Sequence, residues 1–154
     1  MRTSVLSVAA LIAVAACGGS DSSITGTTAT GPMSASIDVQ AWVSPAPAVS
    51  YKNNILAIVG IDAALGTTIE VGSASVTHAG TYSLAFSNLN AGIGLITQAG
   101  KGWSSSAQGG TGSLVVTTIT TNHVVATFSF DALPLSGGAT GTRHLTSGKI
   151  DMTF

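Results

Sequence analysis

The sequence predicts an all-β domain, an antiparallel β-sandwich or barrel of about eight to ten short strands. Three observations carry that expectation. Beyond the first 32 residues the helix period is absent and apolar and polar side chains alternate with a period of two. Turn-forming residues recur about every ten positions, with Val, Ile, Thr and aromatic residues between them. Ser and Thr number 20 each and Gly 19 in a chain of 154 residues, while only 7% of residues are charged. That composition suits short strands and tight turns, and it is far below the roughly 25% charge of an ordinary soluble domain.

The amino-terminal residues read as an address. Arg2 is followed by the uncharged run Val5 to Ala16, too short for the roughly 20 residues of a membrane span but suited to an export signal. The run ends in Val14-Ala15-Ala16-Cys17, followed by Gly18-Gly19-Ser20-Asp21. This resembles the lipobox of bacterial lipoproteins, with Val14 in place of the commoner Leu. The resemblance implies a signal peptide over 1–16 that is removed and a Cys17 thiol that carries a diacylglyceryl group. It also implies a membrane as partner and a cell-envelope location, the outer membrane being favoured because Gly18 rather than Asp follows the cysteine. Two or three acyl chains hold such a protein stably to a membrane surface. Cys17 is the one cysteine, so no disulfide within the chain is available. The other reading is an ordinary secretory signal that leaves Cys17 as a free thiol. From Cys17 to Pro32 the Gly, Ser and Thr-rich sequence has no periodicity and is expected to be a flexible linker.

The single domain is expected over 33–154. Ala35 to Val43 alternates and is read as one half-buried strand, with Trp42 assigned to the core. Ile55 to Asp62 is apolar on both faces, which suits a central strand, and Asn53-Asn54 before it is turn material. Thr67 to Ser73 alternates, with Ile69 and Val71 on one face and Thr68 and Glu70 on the other. Gly80 to Leu84 begins a further strand. Ile93 to Gln98 and Lys101 to Ala107 form a pair joined through Ala99-Gly100, and Gln108 to Gly112 is a glycine-rich connection. Ser113 to Thr120 and His123 to Ala132 form a hairpin about Thr121-Asn122. In its second arm Val124, Ala126, Phe128, Phe130 and Ala132 share one face. Leu133 to Gly141 is read as a loop. In the last strand, Thr142 to Phe154, Leu145 is out of step with Ile150, Met152 and Phe154, and a bulge at Gly148 would correct the phase.

From Gly112 onward the pattern also resembles a loose group of uncharacterised, β-rich bacterial lipoproteins. The matching residues are Ala126-Thr127-Phe128-Ser129-Phe130 and Ser147 to Phe154, with Ala35-Ser36-Ile37-Asp38 before Trp42 and Gly80-Thr81-Tyr82 in the first half. The resemblance implies fold and location and carries no catalytic residue across.

Several functions are disfavoured by composition. A net charge of −1 without a basic cluster speaks against nucleic acid as a partner. No Gly-x-Ser-x-Gly, Gly-x-Gly-x-x-Gly or Gly-Lys-Ser/Thr motif occurs. His78, His123 and His144 are too far apart in sequence to suggest a metal site, and no cofactor is expected. A glycosidase would need two of Asp38, Asp62, Glu70, Asp131 and Asp151 to converge. Asp38, Asp131 and Asp151 are instead read as outward charges that discourage edge-to-edge pairing. No catalytic residue is assigned. The remaining candidates are aromatic: Trp103, with small polar neighbours, and Tyr51, beside Lys52-Asn53-Asn54, would suit a glycan-stacking surface, a barrel-end plug being the other reading for Trp103. The expected function is a non-enzymatic binding module for a glycan or an envelope protein. Behind it stand an assembly accessory of an envelope complex and a hydrolase using a carboxylate pair.

Overall fold

The computed structural model of the chain describes residues 31–88 and 92–154. The expected signal and lipobox with Cys17, and nearly all of the expected linker, lie outside the described residues. The fold is all-β and antiparallel, of the sandwich or barrel type. Eleven strands run in order: β1 (Met33–Ile37), β2 (Gln40–Ser44), β3 (Ala48–Lys52), β4 (Ile55–Asp62), β5 (Thr67–Ser73), β6 (Gly80–Ser83), β7 (Gly92–Gln98), β8 (Lys101–Ser104), β9 (Thr111–Ile119), β10 (His123–Ser136) and β11 (Arg143–Thr153). A 3₁₀ turn at Phe86–Asn88 is the one helical element among the described residues.

The ladder path is β2-β1-β11-β10-β8-β7-β5-β4-β3, and β6 and β9 extend sideways from β10. Its two ends, β2 and β3, are consecutive in the chain, joined at a corner by Pro45-Ala46-Pro47, where the missing proline N–H groups interrupt the ladder. Side chains seal that corner. Asp62 Oδ2 accepts the Val43 amide at 3.2 Å and Ser44 Oγ accepts the Ile61 amide at 3.0 Å. The opposite corner is β10, whose first ten residues pair with β9 and β11 and whose last residues pair with β8.

The core lies between these two halves of the sheet. Trp42, Leu56, Ile58, Ile69, Val71, Ile96 and Leu114 are among its fully buried side chains, together with Phe128 and Phe130. The two phenylalanine rings stack with centroids 6.4 Å apart. Glycines make room for them. A Cβ on Gly94 would stand 2.6 Å from the Phe130 ring, and one on Gly148 would stand 2.7 Å from the Phe128 ring.

Three sequence expectations change. Ala35 to Val43 is a hairpin and not one strand, because Asp38 (φ 48°) and Val39 (φ 69°) form a two-residue turn that pairs Ile37 with Gln40. Both positive φ values are what a type I′ turn requires. Leu133 to Ser136, expected as loop, continues β10 against β8, and Leu135 bulges outward between Pro134 and Ser136. The strand β3 lies outside the sequence expectations, since two prolines stand just before it and its alternate residues are exposed, which leaves little apolar period to read. The bulge in β11 is present at Thr146–Ser147, immediately before Gly148, and Ser147 takes φ 53°. It brings Leu145 and Ile150 onto the same buried face.

Candidate functional site

One end of the sheet structure gathers polar side chains from distant parts of the chain. Arg143 opens β11 and Asp38 occupies the β1–β2 turn, 105 residues away in sequence; Arg143 Nη1 donates to Asp38 Oδ2 at 2.7 Å. The other carboxylate oxygen, Asp38 Oδ1, accepts the His144 amide at 2.9 Å, and the Asp38 amide donates to the His144 carbonyl at 2.9 Å. The turn is therefore clamped to β11 by both backbone and carboxylate. Partial burial by itself would raise the Asp38 carboxyl, but the bonds from Arg143 and the His144 amide, with the guanidinium charge, together hold it below its ordinary value.

Beneath the guanidinium lies Trp103. The Arg143 Cζ stands 4.7 Å from the ring centroid, a cation–π contact. The indole N–H donates to the Gly141 carbonyl at 3.0 Å and is shared with Thr140 O at 3.4 Å. Arg143 Nη2 also reaches Gln98 Oε1 at 3.5 Å, at the outer limit for such a bond. The guanidinium is thus oriented from two sides by an anion and a ring, while about a third of the side chain stays exposed.

Two clefts flank this cation. The first, about 320 Å³, is lined by Leu65, Gln98, Ala99, Lys101, Trp103, Thr140 and Arg143. The second, about 260 Å³, includes Asp38, Gln40, Thr67 and Ile96 and shares Leu65, Gln98 and Arg143 with the first. Local structure explains the shared wall. Asp62 Oδ1 accepts the Ala64 and Leu65 amides and shapes the β4–β5 turn, while Thr67 Oγ1 and Gln98 Nε2 both donate to the Leu65 carbonyl.

Trp103 is 2% exposed, so it is not an open stacking platform; it backs the cleft from below. It is buried because β8 is paired on both sides, with β7 and with the end of β10. Its small neighbours hide this in the sequence. Ser104 and Ser105 are buried too, and their hydroxyls are satisfied locally: Ser104 Oγ by Ser106, and Ser105 Oγ by the Gly94 amide at 2.9 Å. Tyr51 lines neither cleft. It is half-buried on β3, and its hydroxyl donates to the Val76 carbonyl at 2.7 Å. The structure therefore does not bring Trp103 and Tyr51 onto one surface. Arg143 and Gln98 were missed because nothing near them in sequence marks them as a pair; their proximity comes from the β7-β8-β10-β11 order.

Two His–Asp pairs stand on the outer sheet. His144 Nδ1 lies 2.7 Å from Asp131 Oδ1, and Thr111 Oγ1 donates to the second Asp131 oxygen at 3.2 Å. His123 Nε2 lies 2.9 Å from Asp151 Oδ1. Both join neighbouring strands β10 and β11, and neither lines the clefts around Arg143. Among the described residues no group of three or more His, Cys, Asp or Glu is placed to hold a metal ion. No protein-family model, curated protein or solved structure matches this chain.

Proposed function

We propose that this chain is a lipid-anchored β-domain of the bacterial cell envelope, held through Cys17, with the outer membrane favoured, and that it acts as a non-enzymatic binding module for a glycan or a protein ligand. The observation that carries the binding reading is the pair of clefts around Arg143. A guanidinium held by Asp38 and Trp103 enters a complex already oriented, so little side-chain freedom is lost on association. Its cleft combines an apolar floor with a few convergent polar groups, the usual make-up of a small-ligand site.

The assembly-accessory reading has less support. The edge strands β2, β3 and β6 have five, five and four residues, and β3 is preceded by Pro45 and Pro47 and ends on Lys52, features that blunt strand addition. The His–Asp pairs line neither cleft around Arg143, so those clefts lend the hydrolase reading no support.

Two measurements test the proposal. Mass spectrometry of the mature protein is expected to find an acylated Cys17 as the first residue; an unmodified Cys17 or an intact signal would refute the anchor. A glycan array, with photocrosslinking to envelope proteins from position Lys101, is expected to find a ligand that Arg143→Gln releases while the Trp fluorescence of the fold is kept. No ligand in either experiment would refute the binding module.

A further inference from the structure

The geometry points to the cleft beside Lys101 and Arg143 as a site for a sugar bearing one carboxylate, an inference that rests on the binding-module reading and names its ligand class. The described residues hold four Lys and Arg side chains, Lys52, Lys101, Arg143 and Lys149. Two of those four line this one cleft, and no carboxylate lines it. Asp38 opens onto the neighbouring cleft instead.

In a chain so poor in charge, two cations facing one concavity set its local potential, since little else opposes them. Lys101 makes no ion pair among the described residues and sits at the β7–β8 turn with its side chain exposed. Arg143 already shares one charge with Asp38, so Lys101, Arg143 and Asp38 together leave a surplus of one positive charge. That surplus balances a carboxylate better than a doubly charged phosphate. The planar guanidinium, with one amino group bound to Asp38, keeps further N–H donors for a planar carboxylate.

The rest of the lining fits a saccharide ring. Gln98 and Thr140 carry side chains that both donate and accept hydrogen bonds, as ring hydroxyls require. Leu65 and Ala99, backed by the buried Trp103, supply the apolar surface that a ring's C–H groups meet. A volume of about 320 Å³ suits one sugar residue and not a long chain.

The test is an NMR titration of the mature lipidated protein in detergent micelles with three probes: glucuronate, glucose and glucose-6-phosphate. Glucuronate is expected to shift the Trp103 indole N–H and the Lys101 and Thr140 amides saturably, with glucose at least ten-fold weaker. Lys101→Met, which changes an exposed unpaired side chain, is expected to weaken glucuronate about ten-fold, the worth of one charge-assisted hydrogen bond, and to leave glucose unchanged. Equal response to glucose and glucuronate would overturn the inference, as would stronger binding of the phosphate or no saturable shift at these three positions. If these shifts are absent while the array reports a glycan bound elsewhere, the carboxylate site alone fails and the binding module stands.

Discussion

Replacing Val39 with glycine is expected to make this protein more stable, against the usual effect of putting glycine into a β-structure. Val39 is the second residue of the β1–β2 turn and takes φ 69°, while Asp38 before it takes φ 48°. An L-residue in the left-handed region carries a cost of about 1–2 kcal/mol, and a β-branched side chain belongs at the upper end of that range. Val39 is 95% exposed, so its removal forfeits almost no apolar burial. Against the relief stands the greater freedom of glycine in the unfolded chain, about 0.5–1 kcal/mol. The balance is a stabilisation of about 1–1.5 kcal/mol, a rise in Tm of about 3–8 °C for a domain of this size. Asp38 is retained, so its clamp on Arg143 and the His144 amide persists. Urea and thermal unfolding followed through the buried Trp42 and Trp103 would measure the change. Val39→Ala is the control, because alanine keeps the Cβ that causes the strain and is expected to change stability by less than about 0.5 kcal/mol. If Val39→Gly destabilises the protein, or if alanine stabilises it equally, the account of this turn is wrong.

Further outcomes follow from the core and the site. Gly94→Ala would drive a methyl group to 2.6–2.8 Å from three ring carbons of Phe130, and overpacking of that kind is expected to cost about 1–3 kcal/mol in urea unfolding. Trp103→Phe removes the indole donor to the Gly141 carbonyl and weakens the contact under Arg143; a loss of about 1–2 kcal/mol is expected, read by chemical denaturation. For Asp38 the sign follows from its depressed carboxyl: as pH falls, the unfolded chain takes up the proton first, so the stability this group contributes is present above about pH 4 and is lost as pH drops through the lower folded value. The stability gap between the natural protein and Asp38→Asn should therefore narrow steadily below about pH 4 in acid titrations followed by circular dichroism, and a gap that stays constant there would contradict the assignment.

Much of the strand framework was legible because its cause is local. Ile55–Asp62, an apolar run after Asn53-Asn54, and Thr67–Ser73, an alternating one, are strands with the expected bounds, but Ile55 and Ile61 are exposed, so β4 is fully buried on one face only. The row Val124, Ala126, Phe128, Phe130 and Ala132 is buried as its period requires. The Ala99-Gly100 turn joins β7 and β8, with φ values of 50° and 74°. Where local chemistry was atypical the reading failed. Asp-Val is a poor sequence for a type I′ turn, so the hairpin at Asp38-Val39 looked like an uninterrupted strand. Its conformation is held by a partner more than a hundred residues away, through Arg143 and His144.

The sequence by itself determined the fold class, the strand periods and most of the turns, since these depend on side-chain alternation and on backbone preferences within a few residues. Only the tertiary structure decided strand order, and with it the burial of Trp103 and the meeting of Arg143, Asp38, Gln98 and Lys101. The physical reason is the antiparallel ladder. Its backbone bonds are alike for any partner, so neighbours are selected by how the whole core packs, and that selection leaves no mark in the sequence around any single residue.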